Sequence, residues 1–349
     1  MILSFLIKSV KFRQHNTGNM GLQEGMTTDF RSKKMVPSET SVLFVGLGTM
    51  GLPMATNLVK AGFRVIGADS SEAAVASLVE RGGGAAGDAA SAAASADVVV
   101  TMLPDDAIVR AVLEGGGVLA SMRPGALAIE MSTTGPDTKT DLARMANARG
   151  VDFIEAPVGR TMEHAIAGTL ALMAGGEATL IDNARPLLSA MGSEIHLCGD
   201  VGTGSAIKLI NNALVAAVNA ASIEALIAGR KAGITLDTMF SVLKTTMAWN
   251  NALSTALPKK ALRRDFKPGF MTKLQHKDVR LALAMAESVH APMPMAAAAC
   301  ELLGKAMDSG FASDDGSGSM LRVCEAASGI VLSLEEPAPS ARAAASAGG

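Results

Sequence analysis

Apolar residues over positions 41–155 come in two alternating kinds of block. Short continuous runs at 41–45, 64–68, 98–103, 127–131 and 152–155 have the length of buried strands. Between them, segments at 52–61, 72–81, 89–94, 107–113 and 138–149 carry apolar residues at helical spacing. This alternation predicts an α/β domain built on a doubly wound parallel sheet. From Leu197 onward strand patterns stop, and Ala- and Leu-rich amphipathic segments at 205–232, 235–246, 252–261, 270–289 and 295–310 predict an all-α bundle. The expected organisation is a disordered leader over 1–40, an α/β domain over 41–200, an all-helical substrate and oligomerisation domain over 201–333, and a disordered tail over 334–349.

Composition agrees with two sizeable cores: 349 residues, 49% hydrophobic, mean hydropathy +0.31. Met1–Val10 is apolar but broken by Lys8 and is followed by a polar stretch, so it is too short to span a bilayer and lacks a cleavage signal. A net charge of −2 with no long basic run argues against nucleic acid as a partner. Cys198, Cys300 and Cys324 are widely separated, without metal-ligand spacing, and are expected to be reduced and buried in a cytoplasmic protein. Of the five histidines, those at 164, 196, 276 and 290 lack a paired carboxylate or cysteine pattern, so no metal is expected. The alanine stripes and many of the 21 methionines of the helical half suit close packing or a subunit interface, and a homodimer or homotetramer is expected.

The strand at 41–45 leads straight into Gly46–Leu47–Gly48–Thr49–Met50–Gly51 and then a helix. In that context Gly-x-Gly-x-x-Gly is a dinucleotide fingerprint: a tight turn, a close backbone approach to pyrophosphate, and a helix N-terminus facing the phosphates. Asp69 ends the next strand, where a carboxylate accepts from ribose hydroxyls and repels a 2′-phosphate, which favours NAD; its alternative role is to cap the helix after it. Met102–Leu103–Pro104 and Ser132–Thr133–Thr134 follow two later strands, where such sheets bind ligands; the first is a candidate ribose and nicotinamide contact, the second offers hydroxyls.

Lys208 sits among Ile207, Leu209 and Ile210 near the start of a long apolar helix. An ammonium there is costly unless paired or used, which makes Lys208 the first catalytic candidate. Asn211 and Asn212 lie within one helical turn of it. Trp249–Asn250–Asn251 reads as a loop that closes over a substrate, and Phe270 as an aromatic that faces the nicotinamide or joins the core.

Together these segments resemble the β-hydroxyacid dehydrogenase family. The resemblance rests on the glycine motif with Pro53–Met54–Ala55 and Asn57–Leu58, on Ala156–Pro157–Val158 with Gly168–Thr169–Leu170, on Gly204 to Asn212, and on Lys277–Asp278. It implies a Rossmann-type domain and an all-α domain joined by one long helix, with the active site between them. It further implies Lys208 as the catalytic residue, Asn212 as its support, and Lys277 lining the cofactor and substrate cleft with Asp278 behind it. By charge pattern alone, Lys277–Asp278 would be a solvated surface pair.

One segment departs from the family pattern. Most members carry Ser-Gly-Gly after Ala-Pro-Val, where this chain has Gly159–Arg160–Thr161, similar to the branch of the family that reduces 3-sulfolactaldehyde. A guanidinium fork holds two oxygens of a tetrahedral anion and Thr161 a third, although a carboxylate also accepts an arginine. The bland alternative is an exposed arginine paired with Glu155 or Glu163. The expected activity is NADH-dependent reduction of a short anionic hydroxy-aldehyde, 3-sulfolactaldehyde to 2,3-dihydroxypropane-1-sulfonate first. Carboxylate substrates such as 3-hydroxyisobutyrate, tartronate semialdehyde or succinic semialdehyde come second, and an NAD-binding module without turnover third.

Overall fold

The computed structural model describes residues 31–334; residues 1–30 and 335–349, most of the expected leader and tail, lie outside the described residues. Strands β1 (Ser41–Val45), β2 (Arg64–Ala68), β3 (Gly84–Ala85), β4 (Val98–Thr101), β5 (Leu127–Glu130) and β6 (Asp152–Glu155) pair in parallel in the order β3-β2-β1-β4-β5-β6. Helices α1 (Gly51–Lys60), α2 (Glu72–Val79), α3 (Ala89–Ala93), α4 (Asp106–Arg110), α5 (Val118–Ser121) and α6 (Pro136–Asn147) connect them. Alternate residues of β1 feed opposite faces: Val42 and Phe44 pack with Leu58 and Ile129, whereas Leu43 and Val45 pack with Leu142 and Phe153. The order reverses between β1 and β4, and the crevice at their carboxyl ends is where this architecture receives ligands.

Past β6 the sheet continues further than the sequence pattern predicts. Strand β7 (Val158–Gly159), helix α7 (Met162–Ala167), strand β8 (Leu170–Gly175), helix α8 (Ala178–Met191) and strand β9 (Gly192–Gly199) follow in turn. Glu155 faces Gly175, Val158 faces Leu172 and Gly159 faces Ala171, so β6 and β7 form one antiparallel ladder along β8. Strand β9 then joins β8 in parallel. These strands hide from pattern reading because β8 reads Leu-Ala-Leu-Met-Ala-Gly, without a β-branched residue.

The remainder is helical: α9 (Thr203–Lys231), α10 (Leu236–Leu243), α11 (Leu257–Lys259), α12 (Thr272–Ser288), α13 (Pro294–Asp308) and α14 (Gly316–Ser328). Leu209, Ala213, Ala216, Ile223 and Leu226 of α9 form its core with Leu253, Val279, Leu303 and Leu321. By length and composition α9 would pass for a membrane span, but half of its most apolar window is buried in the protein, as in a core helix. The helix expected over 252–261 is broken into short irregular turns around Pro258. Helix α14 was not predicted, since its first turn is Gly-Ser-Gly-Ser; Asp315 caps it instead.

Two further expectations are corrected, on residues 31–40 and on the cysteines. Residues 31–40 are not a loose leader: Met35 is buried in the core and Arg31 pairs with Asp152 at 2.6 Å. Trp249 packs edge-on against Phe240, at 6.2 Å between ring centres. All three cysteines are free, but only Cys300 is buried; Cys198 and Cys324 are half-exposed.

Candidate active site

The glycine turn joins β1 to α1 at the reversal point. Gly46 has φ +96°, and a Cβ there would press into the Met102 carbonyl and Leu103; a Cβ on Gly51 would press into the Gly46 carbonyl. Gly48 is exposed and nothing lies within 4 Å of where its Cβ would be. Two glycines thus close the turn, and the middle one leaves open backbone beside the helix. Met50 caps α1 without a side-chain hydrogen bond, Leu52 N–H already donates to the Gly48 carbonyl at 3.1 Å, and Pro53 has no N–H, so the helix offers a ligand its positive end beside the exposed Gly48–Thr49 backbone. Asp69, half-buried at the end of β2, accepts from Leu47 N–H at 2.6 Å and from Ser71 N–H at 2.8 Å. It is not the cap of α2; the Ser71 hydroxyl is. Tight turn, helix N-terminus and carboxylate together fit a dinucleotide.

Next to the turn, Met102 and Leu103 are half-buried and Pro104 is exposed. Leu103 N–H donates to Ser132 Oγ at 2.8 Å, which ties the loops after β4 and β5 together and holds Ser132 fully buried. Thr133 is half-buried beside it, and the buried Thr134 hydroxyl has no hydrogen-bond partner among the described residues.

The helical half closes on the same edge. Glu155, the last residue of β6, is fully buried. Its Oε1 accepts from the Gly202 and Gly204 amides at 2.6 and 2.8 Å, and its Oε2 accepts from Ser205 N–H at 3.1 Å. A carboxylate therefore seats the N-terminus of α9 on the strand edge. One turn further on stands Lys208, half-buried and without a hydrogen bond or ion pair among the described residues. Burial pushes its ammonium below the usual 10.5, the Asp278 carboxylate holds it up, and Lys277 pushes it down. Asn212 Nδ2 donates to Asp278 Oδ2 at 2.6 Å, and Asn211 Nδ2 donates to Asn212 Oδ1 at 3.0 Å. Lys277 pairs with Asp278 Oδ1 at 2.9 Å and donates to the Thr133 carbonyl across the two halves. Burial raises the Asp278 carboxyl, against the pull of Lys277 and Lys208.

Lys208, Asn211, Asn212, Lys277 and Thr133 are thus brought into one cluster, with Ser132 beneath it. Gly159, Arg160 and Thr161 are not joined to it by a hydrogen bond or ion pair among the described residues. Arg160 has φ 79°, and its guanidinium donates to the Thr169 carbonyl at 2.6 Å and pairs with Glu194. Its carboxylate partner is therefore Glu194, not Glu155 or Glu163. Thr161 Oγ1 lies 2.9 Å from His164 Nδ1. Phe270, 37% exposed, stands just before α12, where its backbone bonds to Asp315 and Gly316.

Sequence reasoning missed two residues here. Lys139 and Glu130, both essentially fully buried, form an ion pair under the loop at 132–134. Burial lowers Lys139 to about 7, against the pull of Glu155 and Asp106. The available signal was a lysine on the otherwise inward-facing side of α6, which amphipathic spacing alone does not flag.

Two family descriptions match the chain. The NAD-binding domain of 6-phosphogluconate dehydrogenase matches residues 41–199, and the NAD-binding region of NADP-dependent 3-hydroxyisobutyrate dehydrogenase matches residues 202–324. The chain is 39% identical to 3-sulfolactaldehyde reductase of Escherichia coli over 81% of its own length and 95% of that enzyme. It is 38% identical to 3-hydroxyisobutyrate dehydrogenase of Pseudomonas aeruginosa over 75% and 91% of the two chains. Among solved structures, Mycobacterium tuberculosis 3-hydroxyisobutyrate dehydrogenase with L-serine superposes with a TM-score of 0.77 at 34% identity, covering 81% of this chain and 99% of that one. With this fold, a turn shaped for a dinucleotide and these relatives, the chain belongs to the β-hydroxyacid dehydrogenase family, as an NAD-dependent oxidoreductase of the 3-hydroxyisobutyrate dehydrogenase type.

Proposed function

We propose that this enzyme reduces a short anionic hydroxy-aldehyde with NADH, and that its preferred substrate is 3-sulfolactaldehyde. The observation that carries the catalytic assignment is Lys208, an ammonium set in the cleft without a partner of its own, between Asp278 and the apolar body of α9. The glycine turn, Asp69 and the Met102–Pro104 loop would hold NADH, which would supply the hydride for the aldehyde carbon. Lys208 gives its proton to the carbonyl oxygen as negative charge grows there, and in the oxidative direction neutral Lys208 takes it back from the alcohol. Asn211, Asn212 and the Lys277–Asp278 pair hold the substrate hydroxyl and the lysine in place.

The substrate assignment is supported by Arg160, a fork of donors where the family pattern has glycine, and by the 39% identity to a sulfolactaldehyde reductase. Arg160 would exchange Glu194 for the sulfonate, with Thr161 adding a third contact. A carboxylate substrate is the second reading, favoured by the 38% identity to a 3-hydroxyisobutyrate dehydrogenase. NADH oxidation against a panel of sulfonate and carboxylate aldehydes separates the two. Arg160→Gly should cut kcat/KM for the sulfonate by about 10²-fold and the carboxylates far less, as for loss of a charge-assisted pair; equal turnover of both classes, untouched by the substitution, refutes the sulfonate assignment.

The same reading includes a cytoplasmic setting, in keeping with three free thiols. It also includes a homodimer or homotetramer, supported by Ile207, Ile210, Leu214 and Val215, which form an exposed apolar stripe on α9.

A further inference from the structure

Lys139 and Glu130 take no part in the chemistry above, yet both are essentially fully buried and paired. A buried ion pair is weak support for stability, because desolvation offsets most of its attraction. Its hydrogen bonds say what else it does. Glu130 Oε1 accepts from Ser132 N–H at 2.9 Å, and Lys139 Nζ donates to the Ser132 carbonyl at 2.9 Å. The Ser132 hydroxyl is fixed in turn by Leu103 N–H. Every polar atom of Ser132 is therefore held, two of them by this pair. The next carbonyl, that of Thr133, is the one that receives the Lys277 ammonium from the helical half.

We propose that Lys139 and Glu130 are a positioning pair: they clamp the Ser132–Thr133 turn and so set the place of the Thr133 carbonyl, which anchors Lys277 beside Asp278 and Lys208. The inference rests on the active-site assignment above, and it makes the pair and Lys277 act in series.

The test is a double-mutant cycle in the full-length enzyme, with Lys277→Met made in the wild-type background and in Lys139→Met/Glu130→Gln, which removes both buried charges together. The clamp variant should lose about ten- to a hundredfold in kcat, as for a misplaced catalytic group. Lys277→Met should then cost about tenfold less in kcat than it does in the wild type, because its anchor is already displaced. Hydrogen exchange of the unliganded protein supplies a second readout: the amides of Ser132 and Gly135 should exchange faster in the clamp variant while those of β4 keep their rates. Additive costs in the cycle, wild-type kcat in the clamp variant, or unchanged exchange at the turn would each overturn the proposal. Should the double variant fail to fold, the isosteric Glu130→Gln alone is read by the same cycle. A wild-type protein that turns over none of the aldehydes would instead refute the active-site assignment, so the two failures are told apart.

Discussion

At the scale of single residues, the cleft is a balance among three ammonium groups and the carboxylates beneath them. Lys208 is poised because burial lowers its pKa while Asp278 limits the fall. Under the proposed mechanism the protonated amine is the active form in the reductive direction, so the rate should drop as pH rises through a midpoint below 10.5; in the oxidative direction it should rise through the same midpoint. Asp278→Asn removes the charge that holds the value up, so both limbs should move to lower pH in kcat profiles. Limbs that stay where they are would mean Lys208 does not titrate in the reaction. Lys208→Ala should lower kcat by about 10²- to 10⁴-fold, the usual worth of a positioned proton donor. Lys208 stands out in the sequence as an ammonium in an apolar helix, but of the neighbours that drew attention to it only Leu209 is buried, while Ile207 and Ile210 face outward. The Lys139–Glu130 pair did not stand out, because its meaning lies in a contact between a helix and a strand end.

At the scale of elements, the glycine turn, β1 to β6 and the long helix were readable because each shows its own period. Strands β7 to β9 were not, since β8 lacks β-branched residues and its place is decided by a ladder to β6 and β7 that no local pattern records. Nor was the seat of α9, in which Glu155 accepts from three backbone amides. Glu155→Ala would leave those amides buried and unpaired. It should cost about 3 kcal/mol, the scale for lost charge-assisted bonds, and lower the melting temperature in calorimetry by several degrees. A variant that melts like the wild type would mean that water or a neighbouring side chain replaces the carboxylate.

For the whole molecule, the two halves meet through few polar links, of which Lys277 to Thr133 and Glu155 to α9 are the most buried. The exposed stripe on α9 lies along the same helix, so the proposed subunit contact and the cleft share one element. Leu214→Glu, at a position 63% exposed, should yield a smaller species in light scattering without lowering the helical content. An unchanged mass would place any subunit contact elsewhere.

Arg160 holds a left-handed backbone that suits glycine and strains other residues by about 1 kcal/mol. With the role proposed for Arg160, heat tolerance and discrimination pull against each other at this one codon. A library selected only for survival at high temperature should drift towards glycine at position 160, and the survivors should be blunt towards a tetrahedral anion.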